Sequence, residues 1–140
     1  MIQAILERLM EDGTPFRIAG GAAQLADVKD TPTAMPAVYV FTSDERSAPS
    51  DRVGGAILQR TTATIGVVMV TQNLSKSNNA AATGDIEALK TFCRRKLIGF
   101  DAGQQIDPLE HLAGELQQAL SGTVWFEDAF TTAYYLQEDE

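Results

Sequence analysis

The side chains best suited to catalysis or metal binding are few in this chain. It contains one histidine, His111, and one cysteine, Cys93. Because zinc sites need several such ligands at short spacing, we predict no metal centre and no cofactor. Cys93 lies in an apolar helical pattern, which favours a buried structural thiol over a nucleophile. His111, next to Glu110, is interpreted as a surface or partly buried residue, because base catalysis needs a pairing geometry that this context does not indicate.

Adjacent carboxylates and paired glycines are the other features that could indicate chemistry. Glu127 and Asp128 follow each other in an extended segment, so their side chains point to opposite faces and cannot share a substrate. Gly20-Gly21 and Gly54-Gly55 match neither a phosphate loop nor a dinucleotide fingerprint, and we interpret them as turns. The sequence therefore predicts no enzymatic reaction.

Charge is segregated along the chain. Residues 101–140 hold nine acids and no Lys or Arg, whereas residues 1–100 hold ten acids and all eleven basic residues. The two parts thus carry net charges of −9 and +1. Complementary potentials steer association and reject wrong partners, so this pattern favours a protein that meets copies of itself or a neighbour through surfaces of opposite sign. The alternative is an acidic face that only confers solubility.

Size and composition narrow the function classes. A chain of 140 residues, 44% hydrophobic and 21% charged, predicts one globular domain spanning residues 1–140. A sequence pI of about 4.5 argues against binding nucleic acid over a broad surface, and the basic run at 94–96 is interpreted as a solvated helix end. With no long apolar stretch and no signal-peptide pattern, we expect a soluble cytosolic protein without a membrane partner.

Two amphipathic helices are predicted, over residues 1–12 and 85–98. In the first, apolar residues recur at spacings of three and four from Ile2 to Met10. In the second, apolar residues share one face, basic residues gather toward the last turn, and Gly99 ends the helix.

Residues 14–36 are predicted to form a loop with a short strand near 16–19. The polar segment 72–84 is predicted to be a second loop, mobile in an isolated subunit and protected on assembly.

Three segments rich in β-branched and aromatic residues predict strands at 37–41, 57–71 and 123–136. In the middle one, Ala63, Ile65, Val67 and Met69 share an apolar face. Its other face changes from polar to apolar, which indicates cover at one end only, by the chain itself or by a partner.

Residues 109–120 are ambiguous, because their leucines fit a helical period while the turn Ser121-Gly122 fits a hairpin. Periodicity alone slightly favours the helix. The order of elements predicts an α+β fold, with an antiparallel or mixed sheet packed against the two main helices.

A more specific pattern lies in the carboxyl-terminal third. It consists of Pro108-Leu109, Gly114-Glu115-Leu116, Ser121 to Trp125, Glu127 to Thr132 and Tyr134 to Leu136. Together with the first helix, the strand after Pro36 and the helix ending near Gly99, this pattern resembles the tail terminator proteins of long-tailed bacteriophages and Mu-like prophages. The resemblance covers nearly the whole chain in element order.

The resemblance implies a structural virion protein made in the host bacterial cytoplasm. Members of this family form a hexameric ring on the last ring of tail tube protein, stop tube polymerisation and present a surface to the head-tail connector. The resemblance also implies that residues 115–120 are extended, which gives a C-terminal β-hairpin. Segregated charge fits this role, because stacked rings need two dissimilar faces.

Eight residues are predicted to lie at subunit or partner interfaces: Arg52, Arg60, Lys76, Arg94, Glu115, Trp125, Glu127 and Asp128. Trp125 and Phe130 have opposite parity, so we expect them to pack on the two faces of the last strand. Two alternatives remain open. Another phage neck or head-completion subunit would share the size and acidity, and a small ligand-binding domain would need a pocket with convergent polar groups.

Overall fold

The computed structural model describes residues 1–72 and 79–139, with the backbone alone for residues 79–84. This part of the chain is α+β, as predicted, and combines a mixed five-stranded sheet with helices. In chain order the elements are α1 (Ile2–Leu9), β1 (Ile18–Gly20), α2 (Ala22–Ala26), β2 (Ala37–Ser47), β3 (Leu58–Gln72), α3 (Asn79–Leu97), β4 (Glu110–Leu120) and β5 (Thr123–Gln137).

The strand order in the sheet is β1-β2-β3-β5-β4. β1 runs parallel to β2, and the other neighbours are antiparallel. β3 and β5 pair without interruption from Leu58 opposite Gln137 to Gln72 opposite Thr123, and they form the long centre of the sheet.

The predicted C-terminal hairpin is confirmed. β4 turns into β5 through Ser121 and Gly122, with φ of 55° and 80°, as a two-residue hairpin turn requires. Residues 110–120 are therefore strand, and the helix favoured by periodicity is wrong. The physical reason is two bulges in β4, between His111 and Ala113 and between Leu116 and Gln118, which interrupt the two-residue alternation.

The helix boundaries differ from those predicted. α1 ends at Leu9, before the predicted residue 12, and α3 begins at Asn79, six residues before the predicted start. The predicted loop is therefore wrong for residues 79–84 and for Gln72, which ends β3. The rest of that prediction concerns residues 73–78, outside the described residues. α2 was not predicted, because five residues are too few to show a helical period.

One face of the sheet packs against α1 and α3 and forms the main core. Its fully buried side chains come from both helices and from alternate positions of the central strands: Ile5, Leu9, Val38, Val40, Ala63, Ile65, Val67, Met69, Cys93, Leu97, Leu109 and Phe130. Burial raises the pKa of the Cys93 thiol far above its usual range, so Cys93 is an unreactive core residue.

The opposite face, called here the outer face, is covered only at one end. Its buried apolar cluster consists of Ala37, Tyr39, Val68 and Val70, and α2 and the segment 27–36 contribute side chains that pack on them. Farther along β3, Thr62 is exposed. The prediction of one-ended cover is confirmed, and the cover belongs to the chain itself.

Candidate interaction surfaces

Asp128 of β5 is the most constrained ionisable residue in the described part of the chain. It points toward α3 and is fully buried. Arg94 on α3 donates two hydrogen bonds to it, from Nε to Oδ2 at 3.0 Å and from Nη2 to Oδ1 at 2.8 Å. His111 of β4 places Nε2 3.0 Å from the same Oδ1. A bidentate ion pair of this kind fixes the angle and distance between the partners.

This network joins α3, β4 and β5 within one subunit. The Arg94 side chain is 34% exposed and therefore keeps some contact with solvent, whereas the Asp128 carboxylate has none. The structure thus brings two of the predicted interface residues together and engages the Asp128 carboxylate internally. His111 is partly buried, as expected, and its ring meets Phe130 edge-on with centroids 5.3 Å apart.

Glu115 and Glu127 lie on the outer face, directly opposite each other on β4 and β5. Burial raises the pKa of Glu127, and the charge of Glu115 raises it further. Like charges in a cross-strand pair destabilise a sheet. Among the described residues neither carboxylate has an ion-pair partner, so this acidic pair is available to a cation from another molecule.

Trp125 and Phe130 occupy opposite faces of β5, and this prediction is confirmed. Phe130 is fully buried beneath the helices, whereas Trp125 is half-buried in the small outer-face cluster. Trp125 thus has a packing role in the subunit, and it lies on the same face of β5 as Glu127, two positions away.

The four predicted basic residues are distributed over different parts of the chain. Arg60 contacts Asp107 and lies 5.8 Å from the centre of the Tyr135 ring, so its charge is used within the subunit. Arg52 lies in the loop joining β2 to β3, where its Nη1 is 3.5 Å from the Ala56 carbonyl oxygen. Lys76 lies outside the described residues.

The sequence analysis did not predict the exposed apolar side chains at two places, on β4 and in the loop between β2 and β3. Leu112, Leu116 and Leu120 are 57%, 55% and 66% exposed on β4, at one edge of the sheet. Val53, in the loop between β2 and β3, is 104% exposed. The signal for β4 was present as leucines spaced by four, but it indicated a helix. A single valine in a polar loop gives no signal.

Within residues 1–72 and 79–139, no three His, Cys, Asp or Glu side chains converge as metal ligands would. No helix in the same part of the chain combines the length and apolar character needed to cross a bilayer. The geometry thus defines a small α+β subunit with an acidic sheet edge, exposed apolar side chains and an internal ion-pair network.

Comparison with known proteins identifies the family of this chain. The family model for the phage tail terminator protein matches residues 1–140. The chain therefore belongs to the phage tail terminator family, and the resemblance seen in the sequence is confirmed. A search of curated proteins finds no match.

Solved structures show the same fold. A chain from the virion of a native gene transfer agent particle is similar with a TM-score of 0.62 and 13% sequence identity. The similarity covers 97% of this chain and 95% of that chain. This likeness concerns the fold, whereas the family match supports a phage tail structural protein.

Proposed function

We propose that this protein caps the phage tail tube as a single-domain subunit of a ring, most simply a hexamer. The ring ends tube polymerisation and then presents its other face to the head-tail connector. This places the protein at the neck-proximal end of the tail after synthesis in the host cytoplasm. No catalytic reaction is assigned to it.

The observation that carries this proposal is the family match over the whole chain. The surface of the subunit is consistent with it, because a ring of identical subunits uses two different patches on each copy. The acidic pair Glu115 and Glu127 lies on the sheet, and basic residues gather near the end of α3, where Arg95 is exposed. One subunit thus presents both signs of charge in different places.

Tail assembly in vitro tests the proposal. Polymerising tail tube protein is mixed with increasing amounts of this protein, and tube lengths are measured by electron microscopy. We expect shorter tubes of defined length, each with a ring at one end. An equal amount of heat-denatured protein is the control. Tubes that grow unchanged and uncapped would contradict the proposal and would favour a different neck or head-completion role.

Ionic strength provides a second test, because charges farther apart than about 8 Å are screened at physiological salt. If surfaces of opposite sign steer assembly, capping becomes less efficient as salt is raised. Equal capping at low and high salt would contradict the electrostatic part of the proposal.

A further inference from the structure

The loop between β2 and β3 ends in a shaped tip, formed by residues 51–55. Val53 is completely exposed there, and Gly54 and Gly55 follow it with φ of +80° and +84°. Two consecutive residues in the left-handed region favour glycine, which lets the chain turn directly after Val53 and leaves that side chain outside the turn. One exposed apolar residue is ordinary in a soluble protein, and a contact needs further support.

An open cleft lies at the other end of β2. It is bounded by α2, the segment 27–33 and the outer face of the sheet, and its volume is about 460 Å³. Ile18, Val28, Pro32 and Tyr39 give it an apolar lining, while Asp27 and Lys29 stand at its sides. Its volume is in the range of clefts that bind a partner group.

The tip and the lining of the cleft each carry one acidic and one basic residue. Asp51 and Arg52 precede Val53, whereas Asp27 and Lys29 flank Val28. Among the described residues none of these four charges is in an ion pair within the subunit. Pairing Arg52 with Asp27 and Asp51 with Lys29 would satisfy all four, and Val53 would enter the apolar lining between them.

The tip cannot reach the cleft of its own subunit. Tyr39 lines the cleft, and β2 continues for eight residues to Ser47, which at about 3.3 Å per residue is roughly 26 Å. Ser47 is still paired with Thr61 on β3, and the tip extends beyond that pair. Tyr134 also donates a hydrogen bond to Glu45 and helps fix the base of the loop. The occupant must therefore come from another molecule.

We propose that the tip of one subunit, residues 51–55, docks into the α2 cleft of a second copy of this chain. The contact is heterologous, since it joins two different patches, and it can therefore be repeated around a ring. This inference rests on the proposed ring function and identifies one contact within it.

Disulfide trapping tests this contact directly. The native Cys93 is fully buried and gives little background. The test protein carries Val53→Cys and Thr31→Cys, the latter at an exposed residue lining the cleft. The matched control carries Val53→Cys and Thr91→Cys, which places the second thiol at an exposed position on α3. Both are assembled on tail tubes, oxidised with copper phenanthroline and separated on a non-reducing gel.

We expect a ladder of cross-linked subunits from the test protein and at least tenfold less from the control. If rings form and the test protein gives no more cross-links than the control, the docking contact is refuted while the ring function stands. If the parent protein forms no ring on tubes, the proposed function is refuted and the contact with it.

Charge reversal gives an independent readout. Arg52→Asp or Asp27→Arg alone is expected to reduce capping by about tenfold, because like charges then face each other. The double variant restores the pair and is expected to recover at least half of the capping activity. Circular dichroism confirms that each variant is folded. A double variant no better than either single one would overturn the proposed pairing.

Discussion

Replacing Asp128 with asparagine tests the ion-pair network beneath α3. The variant keeps the volume of the side chain and one acceptor oxygen but removes the charge. Arg94 donates to both carboxylate oxygens, so the amide nitrogen of the asparagine must face one donor and lose that bond. Hydrogen bonds to charged groups contribute about 1.5–3 kcal/mol each.

The expected loss of stability depends on the burial of Asp128 and Arg94. Breaking a buried ion pair costs about 3–5 kcal/mol when the remaining charge has no solvent contact. Here the remaining charge is Arg94, whose side chain is 34% exposed and can recover part of its hydration. We therefore expect Asp128→Asn to lower the free energy of unfolding by about 2–3 kcal/mol, and the melting temperature by roughly 6–12 °C.

Urea denaturation followed by circular dichroism measures this loss. The matched control is Asp107→Asn, which removes a carboxylate whose side chain is 51% exposed and which pairs with Arg60 at the surface. Surface pairs contribute about 0–1 kcal/mol, so the control is expected to change little. A double-mutant cycle with Arg94→Met then isolates the coupling between the two partners.

Two results would refute this reasoning. An Asp128→Asn protein within about 0.5 kcal/mol of the parent would show that the network does not stabilise the subunit. A variant of normal stability that fails to cap tubes would show that Asp128 acts at a partner interface, as the sequence alone suggested.

Three further variants test other parts of the subunit. Trp125→Ala should cost about 2–3 kcal/mol, below the range for a fully buried ring, because Trp125 is half-buried; thermal stability and tail length are measured together, and a variant normal in both would refute its predicted roles. Glu127→Gln should stabilise the protein by about 0.2–1 kcal/mol at pH 7. Folding raises the pKa of Glu127, so its ionisation destabilises the folded protein only when the pH is above the pKa of Glu127 in the unfolded chain, about 4.3. The stabilisation by Glu127→Gln should therefore vanish near about pH 4; an equal stabilisation at pH 4 and pH 7 in urea titrations would contradict this cause. Gly66→Ala should cost about 1–3 kcal/mol, because the added Cβ would lie 2.7 Å from the Phe41 ring; the loss should shrink in a Phe41→Leu background, and an unchanged loss would point to another cause.

Local periodicity was sufficient to predict the centre of the fold. The alternation of Ala63, Ile65, Val67 and Met69 identified the buried face of β3, because four successive positions on that face are apolar. The two-residue alternation along β5 likewise placed Trp125 on the face opposite to Phe130, which packs against the helices.

The faces of β4 could not be predicted from alternation, because the strand contains two bulges. Leu112, Leu116 and Leu120 are spaced by four, which fits a helix as well as an alternating strand. The bulges then put Leu116 opposite Phe126 and Leu120 opposite Thr123, on different faces of the sheet, so the leucines do not mark one face. The family resemblance, which depends on the longer pattern through β5, indicated the strand correctly.

The interaction features depend on contacts between distant parts of the chain. Arg94 and Asp128 are 34 residues apart and meet because α3 crosses the face of β5. The α2 cleft forms where an irregular segment folds back over the outer face, and no periodic pattern marks such a segment. The sequence therefore identified Arg94, Asp128 and Arg52 as charged candidates but could not say which pair within one subunit.

We propose above that this protein closes the tail tube as a ring. The most direct measurement is mass photometry of the purified protein with and without short tail tubes, with electron micrographs of the same samples. We expect closed rings, six subunits each, at one end of the tubes, whether or not the free protein is already assembled. Free monomer alone in the presence of tubes, with bare tube ends in the images, would contradict it.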